Sequence, residues 1–590
     1  MKSFFKMLLA SFLGVFIALI ICFFLLVGFV AALVSFQPDP VVLKSNTILK
    51  ISLDKPVVDR ANNDPFGLEA FDPFSFSMKT SIGLNNVLKS IDRAKYDPYI
   101  DGIYMDLTTV MSQPAATEEI RQAIVSFRES GKFVISYADS YSQLAYYLAT
   151  AADKVCLNPF GDFGLYGMRA EMMFYKGLLD KLGVDMQIIR HGKFKSAVEP
   201  FMLEKMSVEN REQTMAYMSS IWNHILETIG TARDISIEDL NRIANNLELN
   251  TADDAKYKGF VDELMYKDEV IKELCSYTNK KIEDDLSIIT VDQYNRTPDK
   301  TTKYTKTKIA VIYAEGEISQ GSSGSGIRSG LTSQAIRDAR NDSTIKAIVF
   351  RVNSPGGDAQ ASEIISRELE LAKLSKPVII SMGDLAASGG YWISTPGDII
   401  FANHTTITGS IGVFGTIPNI QKGLKEIAGI TIDVAKTNDH ADMMTIYRPL
   451  NPVEKEHILK MVENIYDKFL IKVSSLRGMP KDSVDNVGQG RVWSGNNAYQ
   501  LGLIDRFGGL NDAINHAVSV SGVGKDYKIV ELPKSSSNTF SQLFNMMSTK
   551  LKGQFNKGEI ERAFERYDYL LKAIERPAIQ ARLPYDVMLY

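Results

Sequence analysis

PVIISMGDLAASGGYW, residues 377–392, joins a buried-type strand to a serine that stands among small residues. The chain carries an altered copy of this stretch 245 positions earlier, where residues 138–147 read ADSYSQLAYY. An aspartate and a tyrosine recur at the same places of the copy, whereas Ser388 is replaced by Gln143. The comparison singles out Ser388 as a residue that only one of the two stretches keeps.

The same offset holds without a gap over a long part of the chain. It superposes Asp398 on Asp153, Asn403 on Asn158, Gly409 on Gly164, Gly412 on Gly167, and Val453-Glu454 on Val208-Glu209. So many identities at one spacing indicate an internal duplication. We therefore expect two structurally similar copies, of which one has diverged at the serine.

Each copy repeats one alternation of strands and helices. The predicted strands are 47–53, 102–107 and 133–136 in the first copy, and 308–313, 347–352 and 377–381 in the second; the predicted helices are 116–129 and 359–374, with a long helix after Ser207 and another after Asn451. This alternation predicts an α/β fold in two tandem domains, each with a mostly parallel sheet flanked by helices. Ser388 lies where a strand ends and a helix begins, which is the usual place for reactive residues in such sheets.

Composition excludes some classes of function. The 590 residues are too many for one core, and contents of 45% apolar and 23% charged residues are ordinary for a globular protein. The formal net charge of −4 leaves no surplus of basic residues, so we expect no nucleic-acid partner. The three cysteines stand in no metal-binding or redox spacing.

The N-terminus predicts a membrane anchor. Residues 7–36 contain no charged residue and follow Lys2 and Lys6. About 20 apolar residues span a bilayer core, so this run is long enough. A cleaved signal peptide is the alternative, but its apolar region has only about 7–15 residues. The paired lysines favour a cytoplasmic N-terminus, which leaves the bulk of the chain outside the cytoplasmic membrane.

A serine hydroxyl needs a base, and nearby backbone N–H donors, to attack a carbonyl group. The glycines beside Ser388 and the Gly-Gly pair of the loop 353–358 can supply such donors. None of the six histidines lies in a known nucleophile-partner motif. Lys195 is one candidate base, because burial among apolar neighbours lowers the pKa of a lysine until a neutral amine is available. His440, which the offset superposes on Lys195, is a rival within the second copy, and Lys193 is a rival beside it.

Several stretches together resemble the signal peptide peptidase A (protease IV) family, in its long, duplicated, membrane-anchored form. They are GDLAASGGYW (383–392), NSPGGD (353–358), TGSIGVFG (408–415), GRVWSG (490–495) with GLID (502–505), and KFKSAVEPF (193–201). The resemblance implies a ClpP/crotonase-like fold for both copies, with Ser388 as nucleophile and Lys195 as general base. It also implies oxyanion donors at Gly356 and Gly389, no cofactor, no metal, and a homo-oligomer, by resemblance a tetramer.

The expected function is that of a membrane-anchored serine endopeptidase with a Ser/Lys dyad. By resemblance, it degrades cleaved signal peptides and other short apolar peptides on the periplasmic side of the bacterial inner membrane. An extended peptide is expected to add to a sheet edge. Two alternatives from other classes stay open, a crotonase-like acyl-transfer enzyme and a non-catalytic membrane scaffold. The expected organisation is an anchor with its linker (1–45), the first copy (46–290), a linker (291–307), the second copy (308–525) and a C-terminal helical extension (526–590).

Overall fold

The computed structural model describes most of the two copies. The described residues are 41–61, 80–281, 285–298, 305–524 and 526–533, with short pieces at 6, 11–21, 23–24, 71–72, 77–78 and 579–582. Of the predicted membrane anchor, residues 11–21 and 23–24 are described, and they are helical. Within these ranges, no helix has both the length and the apolar character that crossing a bilayer requires.

The first copy is built on a six-stranded parallel sheet. In spatial order its strands are Glu263–Leu264, Lys154–Leu157, Phe133–Ala138, Ile100–Val110, Thr47–Leu53 and Ser287–Thr290. Its helices are Leu84–Tyr96, Pro114–Arg128, Gln143–Ala149, Lys176–Lys181, Glu199–Met202, Val208–Arg233, Ile237–Asn246, Ala252–Tyr257, Lys267–Tyr277 and Val291–Arg296. The strands read as nearly continuous apolar runs because a parallel sheet is covered on both faces.

The second copy repeats this plan. Its path of strands is Val492–Ser494, Ile407–Gly409, Val378–Ala387, Ile345–Ser354, Lys308–Glu315 and Lys528–Leu532, with Ile399–Ala402 and then Arg506–Phe507 branching from Val378–Ala387. Its helices are Ser329–Asn341, Ala359–Lys373, Gly389–Ser394, Pro452–Arg477, Lys481–Val487, Gly495–Gln500 and Leu510–Val520. Among the described strands of this sheet, only Val492–Ser494 runs antiparallel to its neighbour. The predicted α/β fold with mostly parallel sheets is confirmed.

The duplication seen in the sequence is also present in the structure. Elements that begin at Leu84, Ile100 and Pro114 recur 245 residues later, beginning at Ser329, Ile345 and Ala359. The two long helices begin after Ser207 and Asn451, whose side chains accept a hydrogen bond from the backbone N–H three residues on. These caps satisfy N–H groups that have no partner within the helix, which is why the helices begin there.

A third, mixed sheet joins the two copies. In spatial order its strands are Ile327–Arg328, Ile318–Ser319, Gly356–Asp358, Ile579–Arg582, Phe414–Asn419 and Asp185–Arg190. The strand Asp185–Arg190 comes from the first copy and pairs antiparallel with Phe414–Asn419 of the second. Two small two-stranded sheets, Val57–Val58 with Ile82–Gly83 and Phe71–Asp72 with Ser77–Met78, complete the described strands.

The copies also share a core and a buried ion cluster. The largest cluster of buried apolar side chains takes members from both sheets, including Val134 of the first copy and Val349 of the second. Arg351 is fully buried, and it contacts Asp59 and Glu119 of the first copy at 2.8 and 2.7 Å. Removing both carboxylates would leave the buried Arg351 charge without a partner, and breaking a buried ion pair in this way costs about 3–5 kcal/mol. The two copies are therefore fixed against each other.

The ends of the copies differ from the predicted boundaries. The predicted linker 291–307 begins with the helix Val291–Arg296, whose Tyr294 ring lies 4.3 Å from the Arg93 guanidinium of the first copy. The described parts of the predicted helical extension 526–590 are strands: Lys528–Leu532 completes the second sheet and Ile579–Arg582 enters the third. Strand partners from distant parts of the chain decide this structure, and local composition does not show them. Residues 534–578 of the predicted extension lie outside the described residues.

Candidate active site

Ser388 occupies a strained turn between a strand and a helix. The strand Val378–Ala387 ends just before it, and the helix Gly389–Ser394 begins just after it. Its backbone has φ 57° and ψ −114°, a conformation that is rare for a residue with a side chain and that marks nucleophiles on sharp strand-to-helix turns. Small neighbours permit the turn, since a Cβ on Gly390 would lie 2.7 Å from the Ser354 carbonyl oxygen.

Lys195 reaches Ser388 from the first copy. The strand Asp185–Arg190 attaches this part of the first copy to the second, and the chain then continues to the lysine. The Nζ atom of Lys195 lies 2.8 Å from the Oγ atom of Ser388. The structure thus brings the two predicted side chains together within one chain.

Burial changes the acidity of the Lys195 ammonium group. Lys195 is 1% exposed, and its amine also lies 3.0 Å from the Oγ atom and 3.3 Å from the carbonyl oxygen of Ser410. Desolvation lowers the pKa of Lys195 well below its ordinary value of 10.5. A neutral amine beside a hydroxyl group has the lone pair needed to accept its proton.

Sequence reasoning did not single out Ser410 as a partner of the lysine. Ser410 directly follows the strand Ile407–Gly409 and has φ 52°. Its backbone N–H donates to the Arg491 carbonyl oxygen at 2.7 Å, which holds the residue in place. The offset of 245 carries a usable signal, because the first copy has Leu165 at the corresponding position. The first copy therefore lacks both hydroxyl groups, since it also has Gln143 at the position of Ser388.

The two predicted oxyanion donors have different surroundings. The N–H of Gly389 lies in the first turn of the helix Gly389–Ser394, where N–H groups have no partner within the helix. The N–H of Gly356 donates to the Ser354 Oγ atom at 3.1 Å. An oxyanion can therefore accept a hydrogen bond from the Gly389 N–H directly. The Gly356 N–H has to break its hydrogen bond to Ser354 before it can donate to an oxyanion.

The rival bases lie elsewhere. His440 hydrogen-bonds through Nδ1 to the Glu454 Oε1 atom at 3.0 Å. Lys193 is exposed, and its amine lies 5.2 Å from the centre of the Phe194 ring. Among the described residues, the hydrogen bonds recorded for the Ser388 hydroxyl are to Lys195 and to the Gly412 carbonyl oxygen. Neither rival contacts the serine in this structure.

Gln143 fills the corresponding position of the first copy with hydrogen bonds of its own. Its side-chain amide donates to the Gly167 carbonyl oxygen at 2.7 Å and accepts from the N–H groups of Tyr166 and Gly167, both at 3.2 Å. Gly167 corresponds to Gly412, whose carbonyl oxygen accepts from Ser388 in the second copy. The glutamine thus holds the same turn that lies beside the reactive groups in the other copy.

One strand of the chain lies along the edge where the candidate site opens. Ile579–Arg582 runs antiparallel to Gly356–Asp358 on one side and to Phe414–Gly415 on the other. The Lys195 amine is 5.9 Å from the centre of the Phe414 ring, so this strand passes close to the dyad. The gap between these two edges therefore accepts an extended chain.

One group of side chains in the described ranges has the spacing of a metal site. The donor atoms of Glu118, His224 and His404 lie within 4.8 Å of one another. The two imidazole rings stack with centres 4.2 Å apart and planes 8° apart, so their in-plane lone pairs do not converge on one ion. The Nδ1 atom of His404 hydrogen-bonds to the Glu118 Oε1 atom at 2.6 Å. This cluster is therefore a hydrogen-bonded contact between the first and second copies.

Comparisons with known proteins show similarity to proteases over most of the chain. Protease 4 of Haemophilus influenzae is 38% identical over 444 residues, which are 73% of this chain and 72% of that protein. The chloroplastic serine protease SPPA of Arabidopsis thaliana is 33% identical over 79% of this chain and 70% of its own length. A structural match to a ClpP1 mutant from Listeria monocytogenes covers 35% of this chain and 95% of that one at 13% identity, with a TM-score of 0.23 that is too low to support a statement about fold.

The family assignment rests on both copies. The profile of Peptidase family S49 matches residues 126–281 and again residues 370–524. The first match contains Lys195 and the second contains Ser388, so both halves of the candidate site lie within the matched regions. With two such regions and relatives aligned over about three quarters of its length, this chain belongs to peptidase family S49 and is a serine protease.

Proposed function

We propose that this chain is a membrane-anchored serine protease with a Ser388/Lys195 dyad, which degrades cleaved signal peptides and other short apolar peptides at the outer face of the cytoplasmic membrane. The observation that carries the proposal is the 2.8 Å separation of the Lys195 amine and the Ser388 hydroxyl in a fully buried site. Since desolvation lowers the pKa of Lys195, the amine is available in its neutral form to act as the base.

Acylation follows from this arrangement. The Lys195 amine accepts the hydroxyl proton while the Ser388 Oγ atom bonds to the carbonyl carbon of the scissile peptide, and the carbonyl electrons move onto oxygen. The N–H groups of Gly389 and Gly356 stabilise that oxyanion. The Lys195 ammonium then gives its proton to the leaving nitrogen, the C–N bond breaks, and an ester on Ser388 remains.

Deacylation uses the same two side chains in reverse. A water molecule attacks the ester carbonyl while the Lys195 amine takes one of its protons. Collapse of the second tetrahedral intermediate breaks the bond to Ser388 Oγ, and the ammonium returns the proton to that oxygen. The product acid leaves, and the dyad is again a neutral amine beside a hydroxyl group.

Ser410 orients the amine for this role. A neutral amine has two N–H groups and one lone pair, and the two oxygens of Ser410 at 3.0 and 3.3 Å accept the two N–H groups. The lone pair is then directed at the Ser388 hydroxyl, 2.8 Å away. Preorganisation of this kind lowers the barrier because no reorientation is needed when the proton moves.

The mode of substrate binding in this proposal is strand addition. The strand Ile579–Arg582 shows that an extended segment can pair with both Gly356–Asp358 and Phe414–Gly415 beside the dyad. Backbone hydrogen bonds to these edges would bind any extended peptide, with side chains entering pockets on alternate positions. This suits an enzyme that degrades many short apolar sequences.

The location and the assembly are part of the same proposal. The uncharged run 7–36 after Lys2 and Lys6 supports a single-pass anchor with the catalytic body on the periplasmic side. A ClpP/crotonase-like fold for each copy and a homotetramer follow from the motif resemblance. A protease held at this surface meets signal peptides as they leave the bilayer.

The test is covalent labelling of the full chain in detergent with a fluorophosphonate probe, mapped by mass spectrometry, alongside hydrolysis of a short apolar peptide ester. We expect one adduct, on Ser388, and loss of labelling and turnover in both Ser388→Ala and Lys195→Ala, with His440→Ala retaining most of both. Turnover of an acyl-CoA thioester without any labelled serine would instead identify a crotonase-like enzyme. A Ser388→Ala chain that hydrolyses the ester at the wild-type rate would overturn the proposal.

A further inference from the structure

Gln213 is a fully buried glutamine on the helix Val208–Arg233 of the first copy. Its side-chain nitrogen donates to the Phe194 carbonyl oxygen at 3.0 Å and to the Ser196 Oγ atom at 2.9 Å. These two acceptors belong to the residues immediately before and after Lys195. One side-chain amide therefore holds the residues on both sides of the lysine, Phe194 through its main-chain carbonyl group and Ser196 through its side-chain hydroxyl group.

The other end of the same amide reaches the second copy. The Gln213 Oε1 atom accepts a hydrogen bond from the Val492 N–H at 3.1 Å. The strand Val492–Ser494 pairs antiparallel with Ile407–Gly409, and the Gly409 carbonyl oxygen accepts from the Ser388 N–H at 2.8 Å. Gln213 thus links the lysine segment to the paired strands Val492–Ser494 and Ile407–Gly409, and the second of these strands accepts a hydrogen bond from the Ser388 N–H.

A primary amide is suited to this junction because it donates and accepts without carrying a charge. A carboxylate of the same length can only accept, so it would face the Phe194 carbonyl oxygen with a lone pair. A thioether makes none of the three hydrogen bonds. Because the site is buried, each backbone group left unpaired costs about 1–3 kcal/mol, which the lysine segment can relieve by moving.

The second copy shows that the helix does not need a glutamine here. The offset of 245 superposes Gln213 on Ile458, which is 2% exposed and lies in an apolar core. The glutamine thus occurs in the copy that supplies the lysine, and an apolar residue occurs in the copy that does not.

We propose that Gln213 is a positioning residue for the Ser388/Lys195 reaction, which fixes the distance and direction between amine and hydroxyl by joining the lysine segment to the strand Val492–Ser494. This inference rests on the proposed function, because it assigns a role in the chemistry of that dyad. Gln213 does not touch the reacting atoms, and it acts through the carbonyl oxygen of Phe194 and the side-chain hydroxyl group of Ser196. Its contribution should appear in kcat, whereas binding of the peptide along the sheet edges should change little.

The experiment measures peptide-ester hydrolysis by the full chain against pH for wild type, Gln213→Met, Gln213→Glu and Met215→Gln. Met215 is 54% exposed on the same helix and provides the control for helix perturbation. For Gln213→Met we expect kcat to fall about 10- to 100-fold with KM within about threefold, because a displacement of roughly 1 Å costs about 100-fold in rate. For Gln213→Glu we expect the rising limb of the pH profile to move to higher pH, because a nearby carboxylate favours the charged amine. Met215→Gln should match wild type.

Ser196→Ala provides a milder variant in case Gln213→Met does not fold. It removes one of the two acceptors around Lys195 and leaves the bonds to Phe194 and Val492, so we expect a loss of about 3- to 10-fold in kcat. Folded Gln213 variants with the wild-type kcat and pH profile would overturn the inference, and so would a rate that falls only in proportion to the folded fraction. Ser388→Ala in the same series separates the two proposals. If Ser388→Ala stays active, the proposed dyad is wrong. If it is inactive while the Gln213 variants match wild type, only the positioning role of Gln213 is wrong.

Discussion

Gly490 lies directly against the main chain of Lys195. A Cβ on Gly490 would be 2.6 Å from the Cβ atom and 2.7 Å from the Cα atom of the lysine, closer than carbon atoms approach. Next to Gly490, a Cβ on Gly412 would be 3.3 Å from the Lys195 Cδ atom. Both glycines belong to the second copy, so that copy encloses the side chain that the first copy supplies.

Gly490→Ala should therefore displace the lysine. Gly490 has φ 82°, so alanine adds backbone strain of about 1 kcal/mol to the collision. We expect kcat for a short apolar peptide ester to fall about 100-fold, in line with a displacement of roughly 1 Å. Gly502→Ala is the matched control, because Gly502 has φ 73° and open space around it. It should lose only the stability that the backbone strain costs, as measured by thermal unfolding, while keeping its activity; equal losses of activity in the two variants would show that strain, and not contact with Lys195, is responsible.

The pH dependence follows from the burial of Lys195. Only the neutral amine accepts the Ser388 proton, and desolvation lowers the pKa of this lysine well below 10.5. Activity should thus be low at acid pH, rise as pH increases through the lowered pKa, and reach its plateau below the pH at which an exposed lysine titrates. The measurement is kcat/KM against pH with a neutral ester substrate. A profile that falls as pH rises through this range would contradict a lysine base.

Gln143→Ser restores a serine to the first copy and should not create a second active site. The residue that the offset pairs with Lys195 is His440, which is bound to Glu454. We expect one fluorophosphonate adduct per chain, on Ser388, and unchanged peptide hydrolysis. Loss of the glutamine's hydrogen bonds to Tyr166 and Gly167 should lower the free energy of unfolding by about 1–3 kcal/mol. Two adducts per chain in intact-mass spectra would show that the first copy has a latent base.

Removing the strand Ile579–Arg582 should raise activity toward peptides. It pairs with the same two edges that are proposed to bind an extended substrate, so the two compete. A chain that stops after residue 578 should show a lower KM, by about tenfold if the strand fills the gap nine-tenths of the time. A chain that stops after residue 582 keeps the strand and serves as the control. An unchanged KM in the shorter chain would place the substrate elsewhere.

The duplication explains why the nucleophile of the site could be predicted from one sequence. Comparing the copies position by position exposes Ser388 against Gln143, and the same comparison separates Ser410 from Leu165. It cannot show which distant residues meet, because contacts such as Gln213 with Val492 depend on how the copies pack. The choice of Lys195 over His440 required the family resemblance and agrees with the contacts in the structure.

The sequence did not show two places where long-range pairing decides the structure. The C-terminal extension was expected to be helical, yet its described parts are strands because the edges at Lys308–Glu315 and Gly356–Asp358 pair with them. The helix Val291–Arg296 likewise packs on the first copy within the segment predicted as a linker. Composition and periodicity report local preference, and tertiary partners override it.

The split of the dyad between the copies has a consequence for biosynthesis. Lys195 is translated long before Ser388, and the residues that support its segment come later still. Gly490 lies against Lys195, Gln489 accepts a hydrogen bond from the Phe194 N–H, and the Val492 N–H donates to Gln213. A nascent polypeptide therefore has no working catalyst until nearly 500 residues have left the ribosome and both halves have docked. The enzyme is therefore inactive while its own chain is still being synthesised.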